Sequence, residues 1–200
     1  MRRAVDVAVS LVLLVLLSPL LMLVTLLIRG GMGRPALFRQ ARVGLGGRVF
    51  TILKFRTMRD ERFAGEPDLD RSPRLGRVLR ATSLDELPQL VNILRGDMGL
   101  IGPRPTLPEQ VAHYSARQHG RHAVRPGITG WAQVNGRNSL PWPERIELDL
   151  WYVAHRSMAV DARIVGRTLL RLVRPSGLYG EGGVNTGFPL PAGDNDTRSA

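Results

Sequence analysis

The sequence predicts an α+β protein, mainly helical, with a broken hydrophobic helix at its N-terminus and short β elements behind it. Three observations predict this. Residues 4–28 form a 25-residue apolar run whose single charge is Asp6, with Ser18-Pro19 near its middle. Apolar and polar residues alternate on both sides of a glycine-rich turn at residues 44–47, the pattern of a β-hairpin. Much of the remaining chain carries helical periodicity interrupted by glycine and proline. The expected organisation is a hydrophobic segment over residues 1–30, a body over 31–180, and a polar Gly/Pro-rich tail over 181–200.

A run of about 20 apolar residues is enough to cross a bilayer. Residues 4–28 are too long for a signal peptide, and no small-residue cleavage site follows them. Pro19 removes a helical hydrogen bond, and a neighbouring serine can satisfy the freed backbone group. Both flanks are basic: Arg2 and Arg3 before the segment, Arg29, Arg34, Arg39 and Arg42 after it. Positive flanks favour the cytoplasmic side. A kinked transmembrane helix fits the segment itself, and a helix that enters and returns through one leaflet also satisfies both flanks.

The remaining elements follow in order. The hairpin places Lys54 and Arg56 two residues apart on one face. Residues 59–73 read as a loop, 75–94 as helix interrupted near Pro88, and 95–108 as a loop. Residues 111–122 read as helix, 125–138 as irregular, and 144–173 as one or two helices. In the last stretch Arg163, Arg167, Arg171 and Arg174 form one face, with Ile164, Val165, Thr168, Leu169 and Leu172 on the other. Such a helix either lies in a lipid interface or packs on a core with a solvated basic face.

Lys+Arg 28 against Asp+Glu 17 gives a net charge of +11, which points to an anionic partner: nucleic acid, anionic lipid or a phosphorylated substrate. Nucleic acid would call for a contiguous basic stripe with interleaved aromatics, and the one stripe present is better placed against lipid. The absence of cysteine excludes disulfides and thiolate metal sites, and the four histidines have no metal-ligand spacing. Of the 28 basic residues only Lys54 is lysine. In a chain this biased toward arginine, a lone lysine marks a place where a guanidinium fits badly, or else chance.

The densest candidate for chemistry is "LRATSLDELPQLVNILRGDM" (residues 79–98). Ser83 and Glu86 have capping-box spacing, and Pro88 suits the first turn of a helix ending before Gly96. The same geometry lets Asp85 and Glu86 face one site in two roles, one attacking a phosphoryl group while the other orients it or shares Mg²⁺. Arg104 between two prolines in "GPRP", Arg125 in "RPG", Arg80, Lys54 and Arg56 are the cations available to phosphate. Trp131, Gln133, Asn135 and Arg137 in "GITGWAQVNGRN" suit either nucleobase stacking or the lipid interface, with a turn at Asn135-Gly136 as the simpler account.

"SPL", "FRQARVG", "KFRTM", "LRATSLDELPQL", "GDMGLIGPRP", "RPGITGWAQVNGRN" and "ELDLWYV" occur in this order. Together they resemble the bacterial sugar transferases known as monotopic phosphoglycosyl transferases, over nearly the whole chain. The small form is the nearest match, and "EGGVNT" (residues 181–186) is similar to the bacillosamine phosphotransferases within it. The resemblance implies a re-entrant helix broken at Ser18-Pro19 and amphipathic helices on the cytoplasmic face of the bacterial inner membrane, against anionic lipid. It implies Mg²⁺-dependent transfer of a phosphosugar from a UDP-sugar, an N-acetylated amino sugar in the small form, to undecaprenyl phosphate; the alternatives are a hexose-1-phosphate donor in polysaccharide initiation and a non-catalytic membrane-bound anion-binding module. Asp85 would be the nucleophile and Glu86 its partner in metal binding or activation. Lys54, Arg80, Arg104 and Arg125 would surround the diphosphate. Gly99, where serine is frequent, and Arg34-Pro35, where Gly-Pro is usual, depart from the family pattern.

Overall fold

The computed structural model describes residues 2–60, 62–63, 68–136 and 139–173, so Arg137, Arg174 and the tail at 181–200 lie outside the described residues. Helices α1 (Arg2–Leu16) and α2 (Ser18–Met32) meet at a bend of 62°. Pro19 cannot donate to the Val15 carbonyl, and the Ser18 hydroxyl donates to that same oxygen at 2.8 Å. The helical ladder thus breaks without orphaning its acceptor. Neither helix alone is long and apolar enough to cross a membrane, whereas the bent pair together is.

The predicted hairpin is present: β1 (Leu37–Val43) pairs antiparallel with β2 (Val49–Phe55), with Phe38 opposite Lys54. After the short α3 (Asp68–Arg71) come α4 (Arg74–Ala81), a 3₁₀ turn at Leu84–Glu86, and α5 (Gln89–Arg95), closed by Gly96 at φ 93°. The stretch expected to be a loop at 95–108 contains β3 (Gly99–Ile101). The irregular stretch at 125–138 contains β4 (Gly127–Thr129) and α8 (Trp131–Asn135). Strands β3 and β4 pair in parallel. Three-residue strands are too short to show alternation, which is why they read as loops.

Between them, residues 108–123 form α6 (Pro108–Val111), α7 (Ala116–His119) and a 3₁₀ turn at Gly120–Ala123, not one helix. The C-terminal helical region is two helices, α9 (Trp142–His155) and α10 (Met158–Val173). Only a narrow strip of α10 faces inward, with Ile164 fully buried while Val165, Leu169 and Leu170 are exposed. The apolar side expected of this helix is therefore divided between the core and the surface.

Two apolar clusters hold the N-terminal helices to the body. Val24 and Ile28 of α2 pack with Ala36, Phe55 and Leu79, and Leu13 and Leu14 of α1 pack against Ile52, Leu90, Ile93 and Met98. The polar residues at the start of α1 are also tied down. Arg2 pairs with Asp161 at 3.1 Å, Arg3 donates to the Ile93 and Leu94 carbonyls, and Asp6 accepts from the Leu100 amide at 3.1 Å. Leu11, Val12, Val15, Leu16, Met22 and Leu23, around the bend, are each more than half exposed.

Gly102, Gly127 and Gly130 join β3 and β4 by backbone-to-backbone contact: a Cβ on Gly127 would lie 2.1 Å from the Gly102 nitrogen, and one on Gly102 would lie 2.2 Å from the Arg125 carbonyl oxygen. Gly127→Ala is therefore expected to lower the unfolding midpoint by several degrees, the response to overpacking of about 1–3 kcal/mol or more. Gly166→Ala on α10, with nothing within 4 Å, is expected to leave it unchanged or raise it. Thermal unfolding of the detergent-solubilised variants checks both.

Candidate active site

The turn carrying Asp85 and Glu86 hangs between two cores. Leu84 packs against the cluster of Val24, Ile28, Phe55 and Leu79, while Leu87 packs against that of Ile52, Leu90 and Ile93. Ser83 enters the turn at φ 58°, a left-handed conformation that costs a non-glycine residue about 1 kcal/mol or more. The expected capping box is not made, since the Ser83 side chain caps nothing. In a 3₁₀ turn adjacent side chains diverge by roughly a third of a revolution, so Asp85 and Glu86 take different surroundings.

Glu86 is the better-held of the two. Its Oε1 accepts from Lys54 Nζ at 2.7 Å and from Arg104 Nη2 at 3.1 Å. Lys54 comes from β2 and Arg104 from the loop after β3. Burial alone would raise the Glu86 pKa, but the charges and hydrogen bonds of Lys54 and Arg104 outweigh it and hold the carboxyl well below the usual range. Burial lowers the Lys54 pKa, with Glu86 acting in the opposite direction. Two cations meet on one oxygen here, and Lys54 brings the compact head group.

No hydrogen bond from a described residue reaches the Asp85 carboxyl. Burial, and then the Glu86 charge, push its pKa up to about 6 against the opposing charges of Lys54, Arg104 and Arg80. The arrangement is one anchored carboxylate beside one unanchored carboxylate, with cations around both. Among the described residues no three His, Asp or Glu side chains gather as a metal site.

The other residues singled out from sequence go to several places. Arg80 acts on Asp85 through its charge, donates to Ser72 Oγ at 2.6 Å, and has no partner for its Nε among the described residues. Arg125 donates to the Gly96 carbonyl at 2.9 Å, at the far end of α5 from the carboxylates, and the structure does not bring it to Glu86. Arg56 lies just past β2 and is spent on the Met58, Met32 and Arg34 carbonyls and on Asp60. The strand-face argument pairing it with Lys54 ends with the strand.

Trp131 is stacked on Trp151 with centroids 4.8 Å apart and carries Arg167 on its ring at 5.2 Å. Asn135 donates to the Trp131 carbonyl and accepts from Arg167, while Gln133 reaches the Ile128 carbonyl at 3.4 Å. Trp131 and Asn135 join α8 to α9 and α10, Gln133 ties it to β4, and none of the three bonds to the carboxylate pair. Asn135 and Gly136 end α8 and form no hairpin.

Two residues at the site had been given no part in binding or chemistry. Arg42 of β1 donates to the Pro105 carbonyl at 3.3 Å, and burial and then Arg104 lower its pKa to about 10. Arg121 donates to the Arg104 carbonyl at 2.9 Å from a position 2% exposed. The pairing of β1 with the 102–106 loop through Val43 and Thr106 was not visible in either segment alone.

Two outcomes follow from this geometry. Lys54→Arg is expected to lower turnover about tenfold or more, because a planar fork cannot replace the ammonium on an oxygen already holding Arg104. Full turnover in a coupled assay would make the lone lysine an accident of composition. In the metal-free protein Asp85 is expected to titrate near 6, moving downward in Glu86→Gln as the second-largest cause of its rise disappears. Carboxyl NMR follows the titration, and a midpoint near 3.8 in both proteins would sink the account.

The family model described as bacterial sugar transferase matches residues 1–175. The chain is 42% identical over 181 residues to an uncharacterised sugar transferase, EpsL, of Bacillus subtilis, covering 89% of this chain and 90% of that one. It is 45% identical over 192 residues to a UDP-glucose:undecaprenyl-phosphate glucose-1-phosphate transferase of Caulobacter vibrioides, covering 89% and 72%. An Escherichia coli protein with the same printed activity is 38% identical over 184 residues, covering 86% of this chain and 40% of that protein. Matched from its first residue to the end of α10, the chain belongs to the bacterial sugar transferase family.

Proposed function

We propose that the protein transfers a sugar 1-phosphate from a UDP-sugar to undecaprenyl phosphate and releases UMP, through a covalent intermediate on Asp85. The observation that carries this is the asymmetry of the pair: Glu86 is fixed by Lys54 and Arg104, whereas Asp85 beside it accepts no hydrogen bond from a described residue. A nucleophilic carboxylate needs a free lone pair, a fixed neighbour and a cationic surround for the charge it meets.

In the first step an Asp85 oxygen attacks the sugar-bearing phosphorus of the UDP-sugar. The bond from that phosphorus to the bridging oxygen breaks, and the oxygen leaves with its electron pair as UMP. In the second step an oxygen of undecaprenyl phosphate attacks the same phosphorus, and the Asp85 carboxylate departs. The product is a polyprenyl diphosphate sugar. Arg104 is half exposed while held on Glu86, so its remaining donors are available to the donor's phosphates. Arg80 adds charge beside Asp85.

Two adjacent carboxylates are too few to hold a metal alone, which suits Mg²⁺, an ion that takes one or two carboxylates and completes its shell with water and phosphate oxygens. Asp85 and Glu86 would hold it, and when bound it supplies charge neutralisation on the diphosphate.

The sugar is proposed to be a hexose, glucose in the first instance. The relatives whose printed names specify a donor use UDP-glucose. The N-acetylated amino sugar expected from the small form leaned on "EGGVNT", which lies outside the described residues. Relatives named for exopolysaccharide production support a reading in which the transfer begins a polysaccharide.

Membrane placement is proposed as a re-entrant hairpin on the cytoplasmic face of the inner membrane. Both of its ends are fastened to the body, α1 through Arg2, Arg3 and Asp6 and α2 through Val24 and Ile28, while the exposed apolar residues cluster at the bend. A single span would carry one fastened end to the opposite face. The exposed Val165, Leu169 and Leu170 of α10, with its arginines, would rest on anionic lipid.

Intact mass spectrometry of nanodisc protein with Mg²⁺ and a panel of UDP-sugars, without acceptor, is expected to record a gain of one phosphosugar. UDP-glucose should give the fullest adduct, and Asp85→Asn should give none. UMP release and product formation that proceed only with acceptor, with no adduct, would replace the covalent route by direct transfer. The chain has no cysteine, so Ala4→Cys and Gly31→Cys, at exposed positions beside the fastened ends, are single-site probes. Both are expected to react with an impermeant maleimide from the cytoplasmic side only, and labelling from opposite sides would establish a spanning helix instead.

A further inference from the structure

Bonded to the Arg104 loop is a buried ion pair that the chemistry above does not use. Arg121 in the 120–123 turn is 2% exposed and Asp149 of α9 is 1% exposed. Arg121 donates to Asp149 and, from the same Nη2, to the Arg104 carbonyl at 2.9 Å. Its Nη1 donates to the Tyr114 hydroxyl at 2.7 Å, and that hydroxyl meets Thr106 Oγ1 at 3.2 Å. One guanidinium therefore touches residue 104 directly and, through Tyr114, residue 106.

A buried ion pair is weak evidence for stability, because apolar side chains of similar volume usually serve as well. Its place here answers a local need. Residues 103 and 105 are prolines, so neither has a backbone N–H with which to tie the loop down. The carbonyl between them needs a donor from elsewhere, and Arg121 provides it. The Arg104 side chain is long and half exposed, and its 3.1 Å contact with Glu86 depends on where its backbone is held.

We propose that Arg121, braced by Asp149 and Tyr114, is a positioning residue that sets the Arg104 guanidinium against Glu86 and so against the substrate's phosphate. This rests on the phosphate-binding role given to Arg104 above. Arg121→Lys keeps a positive charge beside Asp149 but loses the fork that reaches the carbonyl and Tyr114 together.

The test is a cycle of wild type, Arg121→Lys, Arg104→Ala and the double variant in nanodiscs, reading kcat and donor KM for UMP release alongside thermal midpoints. Arg121→Lys is expected to lower kcat/KM about tenfold or more, largely through donor KM. Added to Arg104→Ala it is expected to change kcat/KM less than about twofold, since a residue acting through Arg104 has nothing left to position. Additive losses would make Arg121 a general scaffold residue and overturn the proposal, while leaving the role of Arg104 intact. Full activity in Arg104→Ala alone would remove the phosphate role itself, and the positioning with it. If Arg121→Lys does not accumulate as folded protein, Tyr114→Phe runs the same cycle by deleting one hydroxyl, and the same non-additivity is expected.

Discussion

The site depends on the shared oxygen of Glu86. An ionised carboxylate is costly to bury, and this one is kept charged by Lys54 and Arg104. Those partners come from a strand, and from a loop some fifty residues later, so the charge cluster exists only when hairpin, turn and loop are all in register. Asn92 secures part of that register. Its side chain accepts from the Leu53 amide at 3.0 Å and donates to the Thr51 carbonyl at 2.7 Å, much as a neighbouring strand would. It thereby docks α5, with the carboxylate turn before it, against the open edge of β2 next to Lys54.

The same constraint separates two adjacent and chemically similar residues. Glu86 absorbs the nearest cations, and Asp85 is left with burial and a negative neighbour, which raise its pKa to about 6. A group so placed is less stabilised as an anion than a free aspartate, which suits the nucleophilic role proposed for Asp85. The left-handed Ser83 at the head of the turn is the local strain on which this geometry stands.

The Arg104 loop is held by two different means. Below the loop are backbone contacts among Gly102, Gly127 and Gly130, where no side chain fits. Beside it are donors from β1 and from the 120–123 turn, Arg42 to the Pro105 carbonyl and Arg121 to the Arg104 carbonyl. Prolines stiffen the loop but strip it of donors, so its exact setting is delegated to arginines from elsewhere in the chain. In the N-terminal helix, Arg3 and Asp6 of α1 do similar work by bonding the last carbonyls of α5 and the Leu100 amide. Charges that look out of place in an apolar helix are there to fasten it.

The amino-acid sequence by itself determined what short-range physics encodes. The bend at Ser18-Pro19 follows from one missing N–H, the β1–β2 hairpin from alternation around glycines, and α9 and α10 from helical period. The Asp85-Glu86 pair stood out as two adjacent carboxylates at the start of a helix marked by Pro88 and Gly96. Tertiary structure alone decided where the arginines went. An arginine side chain is long and carries five donors, so its partner is whichever carbonyl or carboxylate the fold brings within reach. That is why Arg104 meets Glu86 while Arg125 and Arg56 are consumed by backbone carbonyls and Arg121, unremarked in the sequence, holds the loop. It is also why β3 and β4 escaped notice: a parallel pair of three residues each has no local signature, only a partner nearly thirty residues away.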